Sequence, residues 1–371
     1  MTPIRVALIC QHLTMGGAEE LVLGIATHLP RERYDVRVVC LTAEGMIARE
    51  LRASGVRVDV LPGEPGPRDP GAFFRLVEYL RRWKPDIVHT FLLNACIYGR
   101  LAAIVAGGAR VVAAEQNVYR NKAPRHVLME RLLARRTYRV VACCQAVSDF
   151  YQRQVGLSPA AMSVILNAVR YDQFLPLPDR AACRAGLGID LDAPTLGVIG
   201  RLTRQKGHDV LFRAVHKLVL MHPRLQLVIA GQGESLEELE LLAQSLGIER
   251  NVHFLGVRRD RELVLGALDV FVLPSRWEGR SLALAEAVGA GIPTIATNVG
   301  GNAEVIESGR TGLLVPPDDP DALADAIDML LSDVGLRQRF SECGITEVRP
   351  RFGIERHVEQ LDALYAQALS A

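Results

Sequence analysis

Long uncharged apolar segments are missing from this chain of 371 residues. No window reaches the roughly 18 apolar residues that a membrane-spanning helix needs. The first residues also lack the charged segment and the long apolar segment of a secretory signal peptide. We therefore expect a cytoplasmic protein, and this expectation is compatible with peripheral attachment to the inner face of the membrane.

A strong excess of charge is also missing, because 43 lysines and arginines nearly balance 42 aspartates and glutamates. A net charge of +1 provides no global field that recruits nucleic acid, so we expect no nucleic-acid partner. The seven cysteines are scattered, without a CxxC pair or a Cys/His cluster, and no DxD-like acidic loop is evident. The sequence therefore predicts no metal site.

What the chain does contain is a repeated alternation of β-branched runs with helical patterns. Continuous apolar strands that alternate with helices predict parallel sheets covered on both faces, and the length is too great for one hydrophobic core. The strands predicted in the first half span residues 4–10, 35–42, 56–62, 86–91, 110–115, 139–144 and 162–169. Those predicted in the second half span residues 195–200, 225–231, 251–256, 270–275, 292–298 and 311–317.

The alternation is interrupted by a stretch that contains several prolines and glycines and no long strand. We therefore predict two Rossmann-like, doubly wound α/β domains at residues 1–170 and 194–350, joined by a linker at 171–193. A final helix at 351–371 is expected to pack toward the first domain. Since open α/β sheets bind ligands at the carboxyl ends of their strands, the loops there should line a cleft between the domains.

The loop after the first strand contains two glycines, Gly16 and Gly17, just before a helix. Paired glycines let the backbone approach a ligand closely, and the helix N-terminus offers free N–H groups to an anion. A tight turn without a ligand uses the same residues, so this loop alone leaves both interpretations open.

The loop GRLTRQKG, residues 200–207, carries Arg201 and Lys206 between a strand and a helix. Arginine is a rigid forked donor and lysine a mobile point charge, and together they suit a diphosphate. Gly200 and the glycine at 207 let the backbone turn around a ligand, which favours this interpretation over two solvated cations. Gly231 and Val257 lie in further loops at the same edge, where the backbone is suited to the edge of a base.

The stretch PSRWEGRSLALAEAVGAG, residues 274–291, places two carboxylates at the ends of a run of small apolar residues. Ser281 is the expected N-cap of the helix that follows. Glu278 then lies in the loop before that helix and Glu286 in its second turn, so both side chains can face one ligand. Two such acceptors suit the vicinal hydroxyls of ribose and hexose.

The two loops together, GRLTRQKG followed by EGRSLALAE with seven residues between the glutamates, resemble the retaining family 4 glycosyltransferases of the GT-B fold. The segments GGAE, ILNAVRYDQF, AGQGE and GGNAE fit the same family, and the resemblance covers nearly the whole chain. It implies transfer of a hexose-type sugar from a UDP- or GDP-sugar to a glycan or lipid-linked acceptor, in polysaccharide or glycolipid synthesis. It also implies retention at the anomeric carbon without a metal or another cofactor.

The resemblance further implies a role for each matching residue. Arg201 and Lys206 would bind the donor diphosphate, Glu286 the ribose hydroxyls, and Glu278 a hydroxyl of the transferred sugar. Gly16 and Gly17 would close over the reacting centre from the other domain. The implied catalytic residues are Glu278, Arg201, Lys206 and His89. The implied donor-binding residues are Gly16, Gly17, Gly200, Arg201, Lys206, Gly231, Val257, Glu278, Gly279, Arg280, Ser281, Leu282 and Glu286.

The sequence departs from the family pattern at two places. Arg280 and Ser281 stand where the family often has Phe or Leu and then Gly or Pro. Phe91 stands where many members have a second histidine after the one that matches His89. His89 is therefore either catalytic or a strand-end histidine bonded to backbone. Two other functions stay open, a sugar-nucleotide epimerase of the same fold and a nucleotide-sugar-binding module without catalysis.

A basic segment lies at residues 120–139 and contains one acid, Glu130. Its cations are Arg120, Lys122, Arg125, Arg131, Arg135, Arg136 and Arg139. They interleave with Leu128 and Leu132 instead of opposing them, which predicts a basic surface with apolar spots. Such a surface suits an anionic membrane or a polyprenyl-diphosphate-linked acceptor, and the alternative is a solvated helix face.

Overall fold

The computed structural model describes residues 2–14, 16–61, 63, 69–117 and 123–371. The chain divides into two compact units. Unit 1 comprises residues 1–169 and 354–371, and unit 2 comprises residues 170–353. Each unit contains its own parallel sheet.

The strands and helices of the described residues follow one another along the whole chain. The strands are β1 (Ile4–His12), β2 (Tyr34–Ala43), β3 (Arg57–Val60), β4 (Ile87–Phe91), β5 (Arg110–Glu115), β6 (Arg139–Ala142), β7 (Met162–Val164), β8 (Thr195–Ile199), β9 (Gln226–Ala230), β10 (Val252–Gly256), β11 (Val270–Leu273), β12 (Thr294–Thr297) and β13 (Leu313–Val315). The helices are α1 (Gly17–His28), α2 (Met46–Ala53), α3 (Pro70–Trp83), α4 (Leu93–Ala106), α5 (Pro124–Ala134), α6 (Gln145–Tyr151), α7 (Arg180–Leu187), α8 (His208–Leu218), α9 (Leu236–Ser245), α10 (Arg261–Gly266), α11 (Leu282–Gly289), α12 (Asn302–Val305), α13 (Pro320–Ser332), α14 (Val334–Cys343), α15 (Arg349–Phe352) and α16 (Ile354–Ser370). Within the part of the chain described, none of these helices is long and apolar enough to cross a membrane.

The two sheets confirm the predicted fold class. The described strands of unit 1 pair in the order β3-β2-β1-β4-β5-β6-β7, those of unit 2 in the order β10-β9-β8-β11-β12-β13, and the paired strands are parallel. Each strand predicted from a β-branched run is present. The largest difference is β7, predicted at 162–169 and observed as Met162–Val164. As an edge strand, β7 has one neighbour to hold its backbone.

Unit 1 buries its sheet between two layers of helices. Alternate residues of β1 contact opposite layers, because side chains along a strand alternate between faces. Val6 and Leu8 face the core built from α1 and α16, whereas Ala7 and Ile9 face the core built from α3 and α4. The C-terminal helix α16 thus packs in unit 1, far along the chain from the strands that it covers.

Residues 171–193, for which the sequence predicts a linker, fold onto unit 2. The Tyr171 hydroxyl donates to the Ala285 carbonyl at 2.7 Å, and α7 packs against α10. The buried Arg184 donates to the Ala267 carbonyl at 3.0 Å and to Asp269 Oδ2 at 2.7 Å. Prolines and glycines exclude a long strand here, but these side chains attach the segment to the second core.

Each sheet reverses its strand order beside its first strand. This switch point lies between β1 and β4 in unit 1 and between β8 and β11 in unit 2. In doubly wound folds the helices leave opposite faces of the sheet at this place, which opens a crevice at the carboxyl ends of the strands. The two switch points are therefore where ligand-binding loops are expected.

Candidate functional site

The switch point of unit 2 brings a lysine and a glutamate into direct contact. The loop after β8 supplies Lys206, and the loop after β11 supplies Ser275 and Glu278. Lys206 Nζ donates to Glu278 Oε1 at 2.6 Å, and Ser275 Oγ donates to the same oxygen at 2.7 Å. The Lys206 and Glu278 side chains are 12% and 7% exposed. A cation and a carboxylate are thus adjacent at the end of the sheet.

Arg201 lies in the same loop as Lys206 but in a different environment. Its side chain is exposed, and it makes no hydrogen bond or ion pair within residues 2–14, 16–61, 63, 69–117 and 123–371. The neighbouring Gly200 leaves room beside its Cα, where an added Cβ would lie 3.4 Å from Lys206 Cε. Of the two cations predicted to bind the diphosphate, Lys206 is therefore held by a carboxylate and Arg201 is not held by a described side chain.

Arg276, in the loop after β11, connects this loop to the loop after β8. Arg276 donates to both carboxylate oxygens of Asp209 at 2.8 and 2.7 Å, to Asp318 Oδ1 at 2.6 Å, and to the Arg204 carbonyl at 2.9 Å. Burial acts to raise the pKa of Asp209, but the hydrogen bonds and the charge of Arg276, together with hydrogen bonds from backbone N–H groups, act more strongly, so the pKa is lowered. A bidentate pair of this kind fixes the geometry of the loop that carries Glu278.

Two glycines allow the loops to approach closely. Gly207 has φ +66°, and a Cβ there would overlap the Pro274 carbonyl oxygen. At Gly231, a Cβ would overlap the Gly200 carbonyl oxygen. Any larger residue would push these backbones apart, so both positions contribute to the shape of the site. Val257 follows β10 in the next loop and has an exposed side chain.

Helix α11 places the second glutamate. Ser281 Oγ accepts from the Leu284 N–H at 3.4 Å, which confirms the predicted N-cap, and Leu282 is the first residue of the helix. Glu286, in the second turn, is buried and forms an ion pair with Arg261 at the start of α10. Arg261 could not be singled out from the sequence, because it is one of three arginines in VRRDRE and nothing in that run marks which one meets the glutamate.

The two residues after Glu278, Gly279 and Arg280, make contacts with different parts of unit 2. The Gly279 carbonyl accepts from the Gly301 N–H at 2.7 Å, which joins this loop to the one after β12. Arg280 is buried, with its guanidinium carbon 4.4 Å from the centre of the Phe352 ring. The departure from the family pattern at Arg280 therefore has a packing partner near α15.

His89 lies in the core of unit 1. It is the third residue of β4 and shares the face of Phe91, packed against α16, and its ring is 1% exposed. Nδ1 of His89 and the Tyr365 hydroxyl share a hydrogen bond of 2.7 Å. Burial, and then the charge of His357, lower the pKa of His89 to about 3. The ring is therefore buried and neutral, and its hydrogen bond goes to a side chain instead of the backbone expected for a strand-end histidine, whereas a catalytic role of His89 stays a prediction.

Gly16 and Gly17 belong to unit 1, where they begin α1. Gly16 precedes the helix in an extended conformation, and a Cβ there would overlap a carboxylate oxygen of Glu19. They therefore belong to a different unit from Lys206 and Glu278. Among the described residues, no group of three or more His, Cys, Asp or Glu side chains is arranged to hold a metal ion.

The basic segment is described from residue 123 onward, so Arg120 and Lys122 lie outside the described residues. Helix α5 exposes Leu128 (57%), Leu132 (49%) and also Met129. The exposed cations on or beside this helix are Arg125, Arg131, Arg135 and Arg136. Arg131 donates to the Val155 carbonyl at 2.7 Å, which gives it a structural role, whereas Glu130 is buried.

Comparison with protein families gives two matches that together cover most of the chain. Residues 15–173 match the model described as Glycosyltransferase Family 4. Residues 179–346 match the model described as Glycosyl transferases group 1. The first match lies almost entirely in unit 1, and the second lies in unit 2 and includes Lys206, Glu278 and Glu286.

The chain is also similar to individual proteins, in sequence or in fold. The chain is 27% identical to UDP-Gal:alpha-D-GlcNAc-diphosphoundecaprenol alpha-1,3-galactosyltransferase of Escherichia coli, over 98% of this chain and 96% of that protein. It is 37% identical to D-inositol 3-phosphate glycosyltransferase of Corynebacterium jeikeium, over 62% of this chain and 57% of that protein. The crystal structure of Anabaena HepE in complex with UDP-glucose has the same fold, with a TM-score of 0.89 at 23% identity, over 98% of this chain and 100% of that chain.

Proposed function

Because the chain belongs to glycosyltransferase family 4, we propose that it moves a hexose-type sugar from a nucleotide-diphosphate sugar to an acceptor hydroxyl, with retention at the anomeric carbon. The observation that carries this proposal is the contact between Lys206 and Glu278 beside Arg201. In this proposal, Lys206 binds the phosphate and Glu278 binds a hydroxyl of the sugar, and the two side chains are in contact. The contact suits the donor, because its sugar and its phosphate are joined through a single oxygen and so lie next to each other.

The diphosphate is assigned to Arg201 and Lys206. Breaking the bond between the anomeric carbon and the phosphate oxygen leaves the electron pair and negative charge on the nucleoside diphosphate. Fixed cations aimed at such developing charge are usually the largest single catalytic contribution. The hydrogen bond to Glu278 holds the Lys206 ammonium in place beforehand, so little reorganisation is needed when the charge appears.

The sugar and the ribose are assigned to the two glutamates. Glu278 accepts a hydrogen bond from a hydroxyl of the transferred sugar, beside the backbone N–H groups of residues 279–281. Glu286 accepts from the ribose hydroxyls. Arg261 supports this second role, because its ion pair orients the buried Glu286 carboxylate. Gly231 and Val257 belong to the loops assigned to the remainder of the nucleotide.

The donor is a UDP- or GDP-sugar in this proposal, and transfer requires no metal ion. Support for uridine comes from the relative named for UDP-Gal and from the related fold solved with UDP-glucose. The acceptor is a glycan or a lipid-linked glycan, as in the name of the Escherichia coli relative. The product would serve polysaccharide or glycolipid synthesis.

Peripheral attachment to the membrane completes the proposal. Helix α5 combines exposed leucines with exposed arginines, and each cation near an anionic surface contributes about 1 kcal/mol. We expect the protein to co-sediment with vesicles of 30% phosphatidylglycerol at low salt and to be released as the salt rises. A variant with Arg135→Glu and Arg136→Glu should bind less, whereas Arg31→Glu with Arg33→Glu is a control of equal charge elsewhere on unit 1. Equal binding to neutral vesicles would overturn the attachment.

The test of the proposed function is a panel of UDP-, GDP- and ADP-sugars. A stabilising ligand raises the melting temperature by an amount set by its affinity and concentration. The stabilising sugars are then incubated with a synthetic GlcNAc-diphosphoryl-alkyl acceptor, and the products are analysed by mass spectrometry and anomeric NMR. We expect a glycosylated acceptor with the donor's anomeric configuration. Epimerised donor without transfer, or binding without any turnover, would contradict the proposal.

A further inference from the structure

The serine that follows β11 is buried beside the carboxylate of Glu278. Ser275 lies two residues after the end of β11 and is 0% exposed. Its hydroxyl donates to Glu278 Oε1 at 2.7 Å, and Lys206 Nζ donates to the same oxygen at 2.6 Å. One oxygen of the carboxylate therefore has two donors. The proposed function assigns roles to Lys206 and Glu278 and none to Ser275.

The other oxygen of the Glu278 carboxylate is available to a ligand. Oε2 accepts no hydrogen bond from any residue that the structure describes, and it is not one of the fully enclosed side-chain atoms that lack a partner. The Glu278 side chain is 7% exposed. A carboxylate paired with a lysine accepts hydrogen bonds and donates none. Glu278 therefore offers one acceptor oxygen, and a ligand bound there must supply the hydrogen.

The backbone on both sides of the Ser275 side chain is fixed. The Ser275 carbonyl accepts from the Thr297 hydroxyl, at the end of β12, at 2.5 Å. The next residue, Arg276, donates its N–H to the Gln205 carbonyl, in the loop after β8, at 2.8 Å. A single torsion places a serine oxygen, so a fixed backbone leaves the hydroxyl few positions. Ser275 is therefore a rigid support for Glu278 Oε1.

Lys206 supports the same oxygen less rigidly. A lysine ammonium is a mobile point charge on a flexible stem. In the proposed function this ammonium also meets the charge that develops on the departing phosphate. When Lys206 moves toward that phosphate, Ser275 is the donor that stays on Glu278 Oε1. The serine is thus the member of the pair that keeps the orientation of the carboxylate constant during transfer.

We propose that Ser275 is a positioning residue, which holds Glu278 Oε1 and thereby directs Oε2 to a single hydroxyl of the transferred sugar. This inference rests on the proposed function and adds to it that the donor is selected for that hydroxyl. A deoxy sugar leaves Oε2, in an almost buried position, without a hydrogen-bond donor. A site built to bind a hydroxyl strongly rejects an analogue that lacks it, because its own polar group is then left unpaired.

Donors that lack one hydroxyl test this inference. The donor that supports transfer, among UDP-galactose, UDP-glucose and GDP-mannose, is compared with its 3-, 4- and 6-deoxy forms. Nucleotide release is measured with the GlcNAc-diphosphoryl-alkyl acceptor and with water as the acceptor. In the wild-type chain we expect one deoxy form to lose about 10²-fold or more in kcat/KM. Glu278→Ala should abolish this discrimination, because it removes the acceptor oxygen.

The variant Ser275→Ala separates positioning from a structural role. It should lower kcat/KM for the complete donor about 10- to 100-fold, the usual effect of losing a hydrogen bond to a charged group. The rate with the rejected deoxy donor should stay the same, because that donor makes no bond to Oε2. The discrimination therefore falls by the same factor, while binding of free UDP or GDP, measured by calorimetry, should not change. If Ser275→Ala does not fold, Ser275→Gly removes the same hydroxyl.

A matched control and three outcomes decide the inference. Thr294→Val removes another hydroxyl of a buried residue in unit 2, which donates to the Ile292 carbonyl at 2.7 Å, and should leave every rate unchanged. Wild-type discrimination in Ser275→Ala overturns the inference while the proposed function stands, even if all donors are slowed equally. Equal wild-type rates with the complete and all deoxy donors also overturn it. A wild-type chain that releases no nucleotide from any donor overturns the proposed function and the inference together.

Discussion

The two switch points have the same topology and opposite chemistry. At the end of β8 and β11, unit 2 presents an ion pair between Lys206 and Glu278, with Arg201 in the same loop as Lys206. At the end of β1 and β4, unit 1 presents a histidine whose charge depends on pH. Fixed cations suit a ligand that is always anionic, such as the diphosphate of the proposed donor.

The two places also differ in how firmly they are held. In unit 2, Arg276 joins the site loops through Asp209 and Asp318. In unit 1, the ring of His12 is anchored at one nitrogen and is more than one-third exposed. Unit 2 therefore holds its charged side chains in fixed positions, whereas the exposed histidine of unit 1 is held at one nitrogen only. The following predictions test this contrast, from the largest effect to the smallest.

The cations of unit 2 should have the largest effect. Lys206→Ala and Arg201→Ala should each lower the rate of transfer by about 10²–10³-fold, because developing charge on the leaving group loses a donor. Initial rates of nucleoside diphosphate release at saturating donor measure this loss. Arg204→Ala is the matched control, an exposed arginine in the same loop whose side chain is assigned no role. Near-native rates in both variants would show that the diphosphate binds elsewhere.

Substitutions of the two glutamates should have different effects on nucleotide binding and on the rate of transfer. Glu286→Gln should weaken binding of the free nucleoside diphosphate about 10- to 100-fold, since a hydrogen bond to a charged group contributes about 1.5–3 kcal/mol. Glu278→Gln should leave that binding unchanged and reduce transfer. Titration calorimetry with UDP or GDP, paired with rates, distinguishes them. An equal loss of nucleotide affinity in both variants would contradict separate ribose and sugar roles.

Buried histidines should make both units sensitive to acid. Burial lowers the pKa of His89 in unit 1 to about 3 and that of His208 in unit 2 to about 4. The unfolded state binds the proton at higher pH, so stability is lost as the pH falls below about 6.5, by up to about 1.4 kcal/mol per pH unit for each histidine. His89→Gln should reduce this slope by one proton in urea unfolding between pH 6.5 and 4.5. An unchanged slope would contradict a neutral His89.

Chelation should have the smallest effect. With cations supplied by Arg201 and Lys206, we expect 10 mM EDTA to change the rate of transfer by less than about twofold. Rates are compared before and after dialysis against EDTA, and after adding Mg²⁺ or Mn²⁺. Loss of activity in EDTA that returns with the metal would show that the arginine and lysine do not replace it.

Much of the fold was predictable because its signals are local. β-Branched runs mark every observed strand, and Ser281 marks the start of α11. The segment at 171–193 shows the limit, because its prolines and glycines indicate breaks in regular structure. They do not indicate that Tyr171 and Arg184 attach the segment to unit 2.

The site was predictable in part. Arg201, Lys206, Glu278 and Glu286 lie in or directly after loops at strand ends, where the topology expects ligands. Their partners were not predictable, because Lys206 and Glu278 are 72 positions apart and Arg261 meets Glu286 across two elements. The environment of His89 depends on a partner even more distant in sequence, since Tyr365 lies 276 positions away. Which face of a buried strand meets which helix is a tertiary property.

Hydrogen exchange with a nucleoside diphosphate tests the central claim, that the switch point of unit 2 binds the donor. UDP and GDP are added separately at saturating concentration, and exchange is followed by mass spectrometry across both units. The account predicts slowed exchange in residues 200–207 and 279–286 with at least one of the two nucleotides, and a smaller or no change in residues 91–96. Slowed exchange confined to unit 1, with both loops of unit 2 unaffected, would contradict it.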